Sequence, residues 1–462
     1  MAAPMARARA YISELLAEYR IPSAQVGVLQ AGTITDFAVG VRDVRSGEPA
    51  STDTIYQLGS MSKAWTAVAF MQLVDEGRVH LDEPVRTYLP GFRVADAEVS
   101  ARLTARRLLN HTNGIEEAYG DPGEGDDVYA RIVSTIADAP QVFGLGETHG
   151  YSAVLGYAIL ARIMETVEGR SWDEVMRRRV FDRLGLRSTS SRREDVDASR
   201  AAVGHVLLPD VDGPVPSPIA YLPRAYGPGG NSSSTVRDVL SMSHIFLDEG
   251  RAPDGTAILS PAAVREMTTS VVAVPDPYPC GSHWGLGLTV SEWGGEPVYA
   301  HDGSTIGQNA RLRIFPDRGL AITMLTNGAP RDAFYRKAFT ALLSELGAPI
   351  VPDLPEPDPS IRLDPRPYVG DFERPGARYE VRATGSTLAL TFVQDPWQAR
   401  MSGQPERTTF TLLPISETQF LMPAHGPQED TQTVAIYGFR DGQARFLHAN
   451  ARVYPRVGLP PA

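Results

Sequence analysis

Gly59-Ser60-Met61-Ser62-Lys63, running on through Ala64-Trp65-Thr66-Ala67-Val68-Ala69-Phe70-Met71-Gln72-Leu73-Val74 to Gly77, is the stretch that decides the reading. Its apolar residues cover most of a helical surface and it closes at a glycine, which predicts a buried helix over Ser62–Glu76 with a glycine C-cap. At the first turn of such a helix, positions i and i+3 share a face, so the Lys63 amine reaches toward the Ser60 hydroxyl. A serine hydroxyl is a weak nucleophile that needs a base. A desolvated lysine is one such base, and the helix N-terminus adds partial positive charge where an oxyanion develops. The chain contains only two lysines, Lys63 and Lys337, among 44 basic residues. A chain that uses arginine almost everywhere keeps lysine where a deprotonatable amine is required, because the guanidinium stays charged.

Outward from this stretch, the chain alternates strand-like and helix-like segments. An N-terminal amphipathic helix, with Ile12, Leu15, Leu16 and Tyr19 at helical spacing, leads into AQVGVLQAG and TDFAVGVRD, which read as an antiparallel hairpin. Helices are predicted over Ser152–Val167, Trp172–Leu184 and Val236–Leu247. PVYAHDG, ARLRIFPD and LAITMLTN read as successive strands of one sheet. Between Pro349 and Pro367 lie seven prolines, a stiff extended linker. Beyond it, short runs (RYEVRA, LALTFV, TFTLLP, QFLMP, TVAIYGF, ARFLHANARVY) separated by turn residues predict a small antiparallel barrel or sandwich of 95 residues. The expected division is a domain over 1–347, a linker over 348–367 and a β-domain over 368–462.

Composition narrows the function. With 462 residues, 42% apolar and 21% charged, the chain has the make-up of a globular protein with more than one core. A net charge of −11 disfavours nucleic acid or anionic membrane as a bulk electrostatic partner. A single cysteine, Cys280, excludes an internal disulfide framework. No stretch is long and apolar enough for a membrane span, and the N-terminal stretch lacks the apolar core of a signal peptide, so a cytoplasmic enzyme is expected. No G-x-S-x-G elbow, zinc motif, Walker loop or dinucleotide fingerprint occurs, and neither a metal nor an organic cofactor is expected.

Ser60-x-x-Lys63, then Tyr151-Ser152-Ala153, then His301-Asp302-Gly303 resemble the three ordered motifs of the penicillin-binding-protein and class C β-lactamase-like serine hydrolases. LLNHTNGI (Leu108–Ile115), VFDRLGLRST (Val180–Thr189), GPGGNSSSTVRDV (Gly227–Val239), WGLGL (Trp284–Leu288) and TMLTNG (Thr323–Gly328) extend the resemblance over nearly all of residues 8–345. It implies an α/β (α+β) fold: a mixed sheet flanked by helices, beside an all-helical subdomain, with the active site between them. It also implies that the C-terminal β-domain is a lipocalin-like barrel. By this resemblance Ser60, Lys63, Tyr151 and His301 are catalytic, the backbone N–H groups of Ser60 and Ser304 form the oxyanion hole, and Ala153, Gly230, Asp302 and Gly303 contact substrate.

A phenol beside an ammonium can have its pKa lowered, so either Lys63 or Tyr151 is the base at this stage. His301 stands where many relatives carry a lysine. It is expected to donate to the substrate carbonyl or assist proton transfer near neutral pH, and Gly303 to let substrate backbone approach the strand. Ala153 departs from the family's usual asparagine, which points away from β-lactam turnover.

The combination of Ser-x-x-Lys, His-Asp-Gly and a small C-terminal β-domain is similar to the penicillin-binding-protein-type thioesterases of the surugamide-cyclase group. These take a peptidyl thioester from the carrier protein of a nonribosomal peptide synthetase onto the serine and release a head-to-tail macrolactam, with a D-residue at the acyl terminus. The alternative is an intracellular esterase, D-aminopeptidase or acyltransferase of the same fold. The same resemblance implies that one of the barrel arginines Arg440, Arg445, Arg452 and Arg456 faces the cleft. Arg452, in the last apolar run, is the choice.

Overall fold

The computed structural model describes residues 3–208, 211–269, 271–329, 332–402, 405–424 and 430–458. Helix α1 (Ala3–Tyr19) feeds a hairpin of β1 (Ser23–Gln30) and β2 (Thr33–Asp43). Helix α2 (Ser62–Asp75) follows a single 3-10 turn, Gly59–Met61, which carries Ser60. Helices α3 (Leu155–Glu168) and α4 (Val236–Leu247) follow, the latter with the predicted bounds. The helix predicted from Trp172 is α-helical only to Met176 and continues as a π-helical turn to Phe181. Four strands, β3 (Thr289–Trp293), β4 (Glu296–Ser304), β5 (Asn309–Phe315) and β6 (Leu320–Thr326), precede helix α5 (Asp332–Glu345).

Among the described residues, the six strands stand in the order β2-β1-β6-β5-β4-β3, extended by short strands to a nine-stranded sheet. The sheet was expected to be mixed, yet all its pairings are antiparallel. The strands from β3 to β6 are joined by tight turns, which dictate antiparallel neighbours. On one face, Ile12 and Leu16 of α1 and Phe334 and Leu342 of α5 pack on Val26, Val28, Ile322 and Met324. The other face carries α4 and merges with the helical subdomain, where Trp65, Phe70, Tyr157, Ile159 and Trp172 share one core. Between Ser62 and Leu73 every residue of α2 is buried, Lys63 included, as its all-round apolar pattern requires.

The C-terminal strands are β7 (Gly370–Arg374), β8 (Ala377–Thr384), β9 (Thr387–Gln394), β10 (Arg407–Pro414), β11 (Gln419–Met422), β12 (Gln432–Tyr437), β13 (Phe446–Ala449) and β14 (Arg452–Pro455). They pair in sequence order, and a bridge between Phe372 and Arg456 brings the two ends together into a nearly closed barrel around Phe372, Val381, Leu390, Phe420, Ile436 and Leu447. Closing the sheet removes its exposed edges. The run ARFLHANARVY is not one strand. It breaks at Asn450 and Ala451, both left-handed (φ 49° and 64°), into a hairpin pairing Ala449 with Arg452.

The barrel is seated on the hydrolase fold by specific contacts. Arg374 and Glu116 form an ion pair in which both side chains are at least nine-tenths buried. Thr433 donates to the Asp276 carboxylate at 2.8 Å, Arg445 pairs with Glu147, and Val142 and Phe143 share an apolar cluster with Phe446 and Val453.

Candidate active site

Two close approaches build the floor of the site. A Cβ on Gly59, whose φ is +53°, would stand 2.4 Å from the Ser304 nitrogen; one on Gly303 would stand 1.9 Å from the Leu58 carbonyl oxygen and 2.8 Å from the Ser60 nitrogen. The Ser60 turn therefore lies directly on the end of β4, with the amides of Ser60 and Ser304 on adjoining backbone. Gly303 was expected to admit substrate backbone. Its missing side chain instead admits the protein's own Ser60 turn. Within β4, residues 301–304 pair with β5 only, because the pairing with β3 ends at Ala300.

Lys63 is fully buried, and its Nζ donates to the carbonyl oxygens of Ala153 (2.9 Å) and Gly229 (2.8 Å) while lying 4.8 Å from the ring centre of Tyr151. Burial pushes its pKa down to about 7; Glu117 opposes the shift and the nearby charge of Arg452 adds to it. A neutral amine has two N–H bonds and one lone pair. With both N–H bonds held by carbonyls, the lone pair is left for a proton from a hydroxyl one helical turn away.

Tyr151 takes the opposite course. Its hydroxyl is enclosed, and burial raises its pKa, a rise that the Ser60 side chain and Arg452 only partly offset. The lowered phenol pKa considered from sequence is not found, so of the two candidates Lys63 has the properties of the base, and Tyr151 is a neutral O–H beside Ser60.

His301 is buried, and its Nδ1 lies 2.7 Å from the Asp302 carbonyl oxygen. A carbonyl only accepts, so Nδ1 carries the proton and the enclosed Nε2 is a bare acceptor. Burial and then Lys63 depress its pKa to about 4. The expectation that it donates to a carbonyl, or titrates near neutrality, is thereby corrected: the ring stays neutral and its Nε2 can accept a hydrogen bond. Asp302 points to the opposite face of β4, as strand alternation requires. There Arg313 holds it at 2.5 and 3.0 Å, with Arg311 at 3.5 Å. Burial would raise its carboxyl, but the two guanidinium groups outweigh burial and keep it ionised. Asp302 is therefore engaged by its own chain, in the wall of a cavity of about 400 Å³ shared by the sheet, α5 and the barrel.

Gly230 is buried against Leu222 and Tyr226, while its neighbour Gly229 supplies the carbonyl to Lys63. Ala153 stands in the site through its carbonyl oxygen. Arg456 runs through the barrel, donating to the carbonyls of Pro367, Val369 and Ala444, and Arg440 lies at the exposed hairpin beside Asp441. Of the four arginines, Arg452 is the one whose charge reaches both Lys63 and Tyr151.

Sequence reasoning missed Glu117. Its carboxylate accepts from the Ser152 hydroxyl (2.6 Å) and from the amides of Val154 and Leu155 at the start of α3, and its charge acts on Lys63. Nothing in GIEEAYG marks it, because its partners lie 35 residues or more away.

The beta-lactamase family model matches residues 8–346. Penicillin-binding protein 4 of Amycolatopsis lactamdurans is 38% identical over 366 residues, 78% of this chain and 96% of that protein. The crystal structure of SurE superposes with a TM-score of 0.79 at 25% identity, covering 98% of this chain and 99% of SurE. The octameric penicillin-binding protein homologue of Pyrococcus abyssi shares the fold at a TM-score of 0.64 and 22% identity, with 97% of this chain and 99% of that chain covered. With its Ser60 turn laid on β4, a buried Lys63 behind it and a barrel seated over Tyr151, the chain belongs to the beta-lactamase family of penicillin-binding-protein-like serine hydrolases.

Proposed function

We propose that this hydrolase is a stand-alone thioesterase and peptide cyclase, acting in the cytoplasm on a peptidyl thioester held by a carrier protein of a nonribosomal peptide synthetase. The observation that carries the reading is the barrel's place in the site: Tyr151 N–H donates to the Ala451 carbonyl at 2.8 Å, and Arg452, the next residue, brings its charge to Lys63. The likeness to SurE runs through the hydrolase fold and the barrel alike, which supports the same reading.

Acylation follows from the geometry. The Lys63 lone pair takes the Ser60 proton as Oγ attacks the thioester carbon. The oxyanion is held by the amides of Ser60 and Ser304, and the C–S bond breaks with the proton returned to sulfur through Tyr151. The acyl-serine is then attacked by the peptide's own N-terminal amine, whose proton passes back to Oγ as the amide forms. Tethering gives that amine a high effective concentration, which favours it over water. Arg452 is the group on this wall suited to a carboxylate or carbonyl of the peptide, and Ala153 in place of an amide side chain leaves room for a substrate of different shape.

The test supplies a peptide with a free N-terminus and a C-terminal D-residue as a small thioester. The expected results are the acyl mass on the Ser60 peptide, none in Ser60→Ala, and cyclic product in excess of linear acid. Linear acid alone across several such substrates replaces this reading with hydrolysis by an esterase or D-aminopeptidase.

A further inference from the structure

Seven non-glycine residues among those described have left-handed backbones, and five of them are exposed turn residues. The other two, His111 (φ 57°) and Ala451 (φ 64°), are buried, in different parts of the chain. Between them they meet three consecutive residues, Gly150, Tyr151 and Ser152. The His111 carbonyl accepts from Gly150 N–H at 2.9 Å, its ring Nδ1 accepts from Ser152 N–H at 3.1 Å, and the Ala451 carbonyl accepts from Tyr151 N–H at 2.8 Å. The His111 ring lies 4.5 Å from that of Tyr151 and tilted by 34°. A buried residue in this conformation is disfavoured unless its surroundings hold it there, and such outliers gather at functional sites. Here the unfavourable conformations aim three acceptors at three consecutive N–H groups, leaving the Tyr151 backbone no freedom to rotate.

We infer that His111 and Ala451 are positioning residues for Tyr151: one clamps it from the hydrolase fold and the other from the barrel, so that the phenol meets Ser60 only while the barrel is seated. The inference rests on the proposed reading of Tyr151 as a proton-transfer group. His111 accepts at Nδ1, so it acts as a neutral ring with its proton on Nε2.

The experiment measures single-turnover acylation of the full-length protein by p-nitrophenyl acetate, recording the limiting rate and the half-saturating ester concentration, with folding checked by thermal melting. His111→Gly keeps the left-handed backbone and removes the Nδ1 acceptor. The limiting rate is expected to fall 10-fold or more, with half-saturation changed less than 2-fold. His111→Asn retains a side-chain acceptor and tolerates the left-handed region, and is expected to recover most of the rate. On the barrel side, Ala451→Val should lower the rate 5-fold or more, because a β-branched residue resists this conformation, whereas Ala451→Gly should preserve it. A folded His111→Gly with the parent rate, a loss confined to half-saturation, or a His111→Asn no better than His111→Gly overturns the inference. If His111→Gly does not fold, the Ala451 pair decides: equal rates in Val and Gly overturn it. Tyr151→Phe is run alongside. If that variant keeps the parent rate, the reading of Tyr151 itself fails, whereas an inactive Tyr151→Phe with an unaffected His111→Gly defeats the positioning inference alone.

Discussion

Replacing Lys63 by arginine and by methionine separates charge, basicity and burial in one series. The ordinary lysine pKa is 10.5, and burial pushes that of Lys63 down to about 7. At pH 7 about half of the folded molecules then hold a free amine, against roughly one in 3,000 for an unperturbed lysine, a gain in active base of about 10³-fold. The same shift is a stability statement. The unfolded chain binds the Lys63 proton up to pH 10.5 and the folded chain only up to about 7, so stability rises with pH between those values. Below pH 7 the full cost stands at about 5 kcal/mol. Lys63→Met removes it and leaves the carbonyls of Ala153 and Gly229 without their donor, a loss of about 1 kcal/mol each. The methionine variant should therefore be inactive yet more stable than the parent by about 3 kcal/mol at pH 6, with the advantage vanishing and reversing by pH 10. Lys63→Arg buries a charge that cannot leave, so it should lose at least 10³-fold in acylation and melt well below the parent. Urea unfolding at pH 6, 8 and 10, paired with acylation rates, checks both parts. A pH-independent difference between Lys63→Met and the parent, or an active arginine variant, refutes the argument from burial.

Arg452 and Glu117 act on Lys63 with opposite signs, so the acidic limb of the acylation pH profile, expected near pH 7, should move up in Arg452→Ala and down in Glu117→Gln; shifts in the same direction would show that neither charge is felt there. Arg452→Ala should in addition lower kcat/KM on peptidyl thioesters about 10-fold, the scale of one charge-assisted hydrogen bond. Arg374→Ala leaves Glu116 buried without its partner and should cost about 3–5 kcal/mol in urea unfolding, whereas Arg366→Ala, at an exposed pair with Asp364, should change stability by less than about 0.5 kcal/mol. His301 stays neutral above about pH 4, so the parent profile should show no limb attributable to it between pH 5 and 9; an imidazole titrating there in an NMR experiment, and lost in His301→Gln, would contradict the depression of its pKa by burial.

Much of the scaffold was legible because its patterns are local. The apolar runs of β1, β2 and β4 to β6 and the all-round apolar pattern of α2 appear where they were read. Two misreadings have local causes. The strand GDFER was passed over because its charged residues mask the buried Phe372, and ARFLHANARVY was taken as one run because Asn-Ala is a weak turn signal. At the site, Gly303 and Asp302 were placed against substrate by motif position. Packing instead covers Gly303 with the Leu58 carbonyl and pairs Asp302 with Arg313. A motif specifies which residues are present, whereas the neighbours each one meets come from distant parts of the chain.

What the sequence by itself determined is therefore the pair at the centre: Ser60 and Lys63 are joined by one helical turn, and a lysine in a chain of arginines has a chemical reason to be there. The tertiary structure alone decided how those groups behave. The amine of Lys63 is near neutrality because α2 is enclosed on every side, the His301 proton sits on Nδ1 because the Asp302 carbonyl faces it, and Arg452 rather than Arg445 or Arg456 reaches the site because of where the barrel's last hairpin lands. Desolvation and charge act through space over several ångströms, between residues up to about 390 positions apart, and linear spacing does not encode those distances.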